Sequence, residues 1–233
     1  MKILISTLLA TTLLVFSGCD QEDNNKSDSD NKTFNLSEYP VTSNLSVEVK
    51  KTLAYMGNEE RLAYDVYNLF YTLYPEQKQF INIPQKSEIK HIEIAQSLVQ
   101  RYTINDSSIN DSSYTSLDYQ NTKIEDMEAG VYGVDTLQTL YNSLITEGSV
   151  NVIEALKVGC KIEVIDVDDL DADIILANND NAVDIVAAFN VLRDGSYNHY
   201  WSFDKGLKNL GITNGCNLGV APFTDKNGIY PQK

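Results

Sequence analysis

Along most of this chain apolar residues recur at alternating steps of three and four, and four stretches hold the pattern long enough to bury one face of a helix each. From about Ser46 to Tyr74 the line reads Leu53, Met56, Glu60, Ala63, Tyr67, Phe70, Tyr74. A second helix is expected to open near Asn82, a good cap, with Pro84 tolerated in its first turn, and to run along Pro84, Glu88, His91, Ala95, Leu98 and Tyr102. The third is expected to open at Ser149 and carries Val152, Leu156, Gly159, Glu163, Asp166 and Leu170. The fourth, starting near Asn179 or Asp180, carries Ile185, Phe189, Leu192, Ser196, His199 and Phe203. The pattern predicts an all-α fold built as a four-helix bundle. Between the second and third stripes lies a polar segment, roughly Asn105 to Gly133, followed by a short helical pattern from Asp135 to Thr146. It reads as a long crossover with one short extra helix, the connection required when core helices 2 and 3 run parallel.

Each stripe is interrupted near its middle by polar residues. A carboxylate on a buried line must be paired, protonated or bound to a metal, because burying it alone is costly. Glu60 is such a residue, whereas Glu59, about 100° round the helix, is expected to face solvent. Glu88 and His91 stand at i and i+3, so one ion can meet both. Taken alone that pair reads better as a hydrogen bond on a helix surface. Glu163 and Asp166 repeat the spacing, and His199 follows Ser196 by three. Packed antiparallel, the helices bring Glu60, Glu88, His91, Glu163, Asp166 and His199 to one level. Four carboxylates and two imidazoles form the ligand inventory of ferritin-like di-metal proteins, here with Ser196 where a second Glu-x-x-His would carry its Glu and with Asp166 available to replace it. Four such carboxylates left without a cation would repel one another, and a metal pair resolves this. Oxygen-rich ligation with two imidazoles suits iron, with manganese second, better than structural zinc. Tyr67 is placed either to hydrogen-bond a ligand or simply to pack in the core.

The same residues carry a family resemblance. Leu53-Ala54-Tyr55-Met56 followed by Glu59-Glu60-Arg61-Leu62-Ala63-Tyr64-Asp65-Val66-Tyr67 is similar to the first helix of an uncharacterised ferritin-like family, domain of unknown function 2202. Ser87-Glu88-x-x-His91, Ala155-Leu156-Lys157-Val158-Gly159 with Ile162-Glu163 and Asp166, Gly195-Ser196-x-Asn198-His199 and the closing Tyr230-Pro231-Gln232 extend it over most of the chain from Leu45 onward. The resemblance implies a ferritin-like fold and a metal site, in a family without a settled activity. The chain departs from it at Val164, where relatives often carry a second acid, and in a longer polar insertion around Ser107 to Ser116.

With 233 residues, 42% of them hydrophobic, there is material for one core. The formal charge of −15 disfavours nucleic acid and anionic bilayer surfaces as partners and suits cations. Residues 1–18 combine Lys2 with an apolar run from Ile3 to Phe16 and read as a signal peptide. Phe16-Ser17-Gly18-Cys19 resembles the bacterial lipoprotein cleavage box, which makes Cys19 a lipidation site and the protein an exported one, lipid-anchored to a membrane on its periplasmic or outer face. Residues 19–44 read as a flexible acidic tether, 45–210 as the helical domain and 211–233 as a C-terminal tail packed on it. Outside the cytoplasm the remaining pair, Cys160 and Cys216, is expected to be bridged, the alternative being that Cys160 is a buried inert thiol or a neighbour of the metal. The expected function is oxidoreduction at two metal ions, acting on ferrous iron, dioxygen or peroxide. Two other readings fit the same residues: a non-catalytic metal-holding lipoprotein, and a surface interaction module with a degenerate site.

Overall fold

Ser46 lies in extended backbone and its side chain accepts the Val49 N–H, occupying one of the donors that a helix start leaves free. From there α1 runs Val47–Leu73 in the computed structural model, which describes residues 34–103 and 123–223. The signal peptide, Cys19, most of the tether, the insertion around Ser107 to Ser116 and the Tyr230-Pro231-Gln232 ending lie outside the described residues. Those described are helical, with no strand among them.

The second helical region starts earlier than the Asn82 cap expected. Helix α2, Gln79–Ile83, runs without a break into a wider π-helical segment, Pro84–Glu88, and on into α3, Ile89–Tyr102. Pro84 is therefore internal. Its ring removes a backbone donor, and the chain accommodates it with a wide turn in which the Ile89 N–H reaches the Pro84 carbonyl. Helix α4 is Asp135–Gly148, close to the short helix expected. Ser149 does not cap the next helix: its N–H closes α4 on the Ile145 carbonyl, and Asn151 caps α5, Val152–Asn179, by accepting from the Ile153 and Glu154 N–H groups. Likewise Asn179 and Asp180 finish α5, and α6 runs Val183–Asn209. The Asp180 carboxylate caps α1 instead, accepting the Ser46 N–H at 2.7 Å.

Side-chain pairs fix the direction of each helix. Ser46 with Asp180 and Tyr67 with Glu163 set α1 antiparallel to α5. Thr42 with Tyr102, Glu60 with His91 and Asn68 with Gln85 set it antiparallel to α3. Helix α6 opposes both, through Asp184 with Arg101 and Ser196 with Asp166. Helices α3 and α5 consequently run parallel, and the connection between them ends at the level where α3 began. Part of it is held on α1 by Arg61, whose Nη2 donates to the Glu128 and Val131 carbonyls, and by Asp65, which accepts from Tyr132 Oη at 2.7 Å.

Two apolar clusters fill the interior. One gathers Phe70, Phe80, Leu144, Leu156 and Phe203, the other Leu53, Met56, Leu98, Leu170, Phe189 and Leu192. Between them lies a layer of buried polar side chains. Helix α1 is enclosed all round at this level: every residue from Met56 to Ala63 is buried. Cys160 and Cys216 form a disulfide with a Cα–Cα distance of 5.4 Å, which ties the segment after α6 to α5.

Candidate metal centre

Every long helical region contributes to the polar layer: Glu60 from α1, Glu88 and His91 from the π segment and α3, Glu163 and Asp166 from α5, and Ser196 and His199 from α6. All are buried. Glu88 is central. Its Oε1 lies 3.0 Å from His199 Nδ1 and its Oε2 lies 3.2 Å from His91 Nδ1, so each oxygen serves a different imidazole. His91 Nδ1 is also 3.0 Å from Glu60 Oε2, and His199 Nδ1 is 3.4 Å from Glu163 Oε2. The result is two triads that share one carboxylate, Glu60–Glu88–His91 and Glu88–Glu163–His199, each with ligand atoms within 4.8 Å of one another. The imidazole rings stand 5.5 Å apart at 30°.

Hydrogen bonding does not saturate this layer. Each Nδ1 faces oxygens of two carboxylates and has at most one proton to give. Glu60 Oε1 and Asp166 Oδ1 are buried without a hydrogen-bond partner. Such orphaned atoms are costly unless something charged satisfies them. Were all four carboxyls ionised, they would leave negative charge in excess even with both rings protonated. The donor set of carboxylate oxygens and imidazole nitrogens fits two hard or borderline divalent cations.

The electrostatics express the same strain. Burial pushes the Glu60 carboxyl well above the usual carboxylate range, with the Asp166 charge adding to it and His91 opposing. Burial also raises Glu163, with His199 opposing. Asp166 is pushed up to about 7 by burial and the neighbouring Glu163 charge. Burial works against ionised Glu88 too, but His199 and His91 outweigh it and hold that carboxyl below the usual range. Burial opposes the charge on both imidazoles, yet Glu60 and Glu88 hold His91 well above its ordinary value, and Glu88 and Glu163 push His199 up to about 10.

Asp166 stands outside both triads. Its Oδ2 accepts a short hydrogen bond from Ser196 Oγ, so the small side chain that replaces a Glu on α6 anchors the carboxylate on α5. Tyr67 Oη donates to Glu163 Oε1 at 2.5 Å and fixes that carboxylate from the aromatic cluster below. Three residues near the layer are given no part in it from sequence: Glu59 is expected to face solvent, and Ser87 and Gly195 enter only through the family resemblance. Glu59 is buried, at 8% exposure, instead of solvated, and burial raises its carboxyl well above the usual range, with Asp169 adding. Ser87 Oγ lies 3.4 Å from His91 Nε2. Gly195 packs so closely on the same ring edge that a Cβ there would fall 2.4 Å from His91 Nε2. For Gly195 the signal was its place one residue before Ser196 and four before His199 on the inward face; no local pattern marked Glu59. A cavity of about 20 Å³, large enough for a water-sized group, opens beside the layer between Glu59, Glu60, Glu88, Glu163 and Asp166 and apolar walls that include Leu62, Leu140 and Ile162.

The fold recurs in a solved structure. An uncharacterised protein of Methanocaldococcus jannaschii is 34% identical over 167 residues, which cover 72% of this chain and 79% of that one. The crystal structure of a hypothetical protein from Methanococcus jannaschii matches with a TM-score of 0.61 at 30% identity, over 74% of this chain and 87% of its own. The family model described as "Uncharacterized protein domain (DUF2202)" matches residues 49–217, and the chain belongs to that family.

Proposed function

We propose that the protein is a ferritin-like four-helix bundle whose polar layer holds two metal ions, iron or manganese, and that it acts as an oxidoreductase on ferrous iron, dioxygen or peroxide. The observation that carries this reading is Glu88, shared by two buried triads with one oxygen toward each imidazole. Glu60 and His91 complete one position, Glu163 and His199 the other. The parallel course of α3 and α5 supports the ferritin-like topology. A pair of redox-active ions bound here would supply two-electron chemistry. The chain's own residues prepare the site for it: Tyr67 and Ser196 orient Glu163 and Asp166, the cavity admits a diatomic-sized group to the carboxylates, and Leu62, Leu140 and Ile162 keep bulk water away.

The test is anaerobic loading of the metal-free protein with ferrous iron, followed by elemental analysis. About two ions per chain are expected. Glu88→Ala should lose more metal than any other single ligand variant, since both triads use Glu88. A stoichiometry near zero overturns the reading. Two bound ions with no turnover of ferrous iron, dioxygen or peroxide would leave metal holding as the function. We further propose export and lipid anchoring at Cys19, a reading that the Cys160–Cys216 disulfide supports because such bonds persist outside the cytoplasm. Fractionation of a Cys19→Ser variant in the native host tests it, and unchanged membrane association would refute it.

A further inference from the structure

A second group of carboxyls continues the layer outward. On α5, Glu163, Asp166, Asp169 and Asp173 are spaced 3, 3 and 4 and so form one stripe, about 15 Å long at the rise of a helix. Helix α1 runs alongside in the opposite sense and sets Glu59 against Asp169 and Thr52 against Asp173. Beyond the larger effect of burial, the neighbouring Asp169 and Asp173 charges raise the Glu59 carboxyl further. Exposure grades along the stripe: Glu59 is buried, while Asp169 and Asp173 are half-buried. Among the described residues none of these three carboxyls forms an ion pair with Lys or Arg.

The independent pointer to a ligand is Glu59 Oε2. It is buried, without a hydrogen-bond partner, and belongs to a side chain that lines the cavity with Glu60, Glu88, Glu163 and Asp166. A carboxylate oxygen in that position costs free energy unless a cation meets it, at least in passing.

We propose that Glu59, Asp169 and Asp173, set between α1 and α5, form a loading site for a hard divalent cation and deliver it through the adjoining cavity to the centre at Glu60, Glu88 and Glu163. The inference rests on the two-metal reading above. Oxygen-only ligation at the half-buried end binds ferrous or manganous ions loosely. The imidazoles at the inner end bind them more firmly, so the ion moves inward down an affinity gradient. The stripe also focuses negative potential at a cleft, which raises the capture rate of cations.

The experiment follows uptake of cobalt(II) by the metal-free full chain, by stopped-flow visible absorbance and by final stoichiometry. Glu59→Gln, Asp169→Asn and Asp173→Asn keep side-chain volume and remove charge, and helical circular dichroism checks each fold. The wild type is expected to take up two ions, and the variants to reach the same occupancy about tenfold more slowly or worse, with a weaker dependence of rate on ionic strength. Asp173→Asn, half-exposed and ten residues from Glu163, decides the matter if Glu59→Gln fails to fold. Wild-type rates in the folded variants overturn the loading site while leaving the two-metal centre intact. Occupancy that falls in step with rate also overturns it, by making these residues ligands of the centre. A wild-type protein that takes up no cobalt overturns the two-metal reading and the loading site together.

Discussion

Gly195 offers the sharpest test of how this layer is held. Replacing it with Ala would put a Cβ 2.4 Å from His91 Nε2 and 2.5 Å from His91 Cε1, against the roughly 3.4 Å at which ordinary contact begins. Either the ring or the α6 backbone must then give way by about 1 Å. Metal–ligand distances tolerate only about 0.2 Å, so a displacement of that size disturbs His91 Nδ1, which is bonded to the same Cε1. The stability change should be small: overpacking costs about 1–3 kcal/mol, and Ala in a helix interior returns about 1 kcal/mol relative to Gly. Metal affinity should fall about 10- to 100-fold, the usual effect of disturbing the support of a ligating imidazole. Gly148→Ala serves as the comparison, because its Cβ would strike the Phe70 ring at 2.0 Å, ten residues and about 15 Å along α1 from Glu60. Calorimetric titration with manganese(II), alongside thermal denaturation, separates the two effects. The reasoning fails if Gly195→Ala binds metal as tightly as the wild type, or if Gly148→Ala loses metal to the same degree.

Two other outcomes follow from the same structure. In the metal-free protein Asp166 is raised from 3.8 to about 7 and His199 from 6.5 to about 10, so the folded state binds more protons than the unfolded one and these groups make it less stable as pH rises through about 4–10. Glu88, lowered, acts in the opposite sense only below pH 4.5. Metal bound at the proposed centre would displace the excess protons. The melting temperature of the metal-free protein should therefore drop between pH 5 and pH 8 while the loaded protein changes less, and metal uptake at pH 6 should release protons to a pH indicator; uptake with no proton release would contradict the assignment. The Cys160–Cys216 bridge closes a loop of sequence separation 56, which in the chain-entropy model contributes about 4 kcal/mol. A Cys160→Ala/Cys216→Ala double variant should lose up to that amount in urea denaturation, and a change under about 1 kcal/mol would show that packing alone holds the segment.

Period and spacing by themselves determined which stretches become helices and which side chains line their inner faces, because both follow from 3.6 residues per turn and a chain that must bury its apolar stripe. Leu53 to Phe70 on α1 and Ile185 to Phe203 on α6 are buried along the lines read from sequence, and so are Glu60, Glu88, His91, Glu163, Asp166 and His199. Helix ends were less legible. Ser149 and Asn151 are both good caps, and the choice between them depends on where α4 stops, just as Asp180 caps α1 only because the antiparallel course of α5 brings it there. The partnering of the polar layer belongs to tertiary structure alone: that Glu88 faces both imidazoles, that Ser196 holds Asp166 and that Gly195 touches His91 are contacts between helices, with no trace in any one helix's period. Glu59 marks the limit most clearly. A single-stripe reading assumes a helix with one wet side, and α1 has none between Met56 and Ala63: α4 and α5, through Leu140, Ile162 and Ile165, wall the cavity that Glu59 lines and turn an outward carboxylate into a buried one.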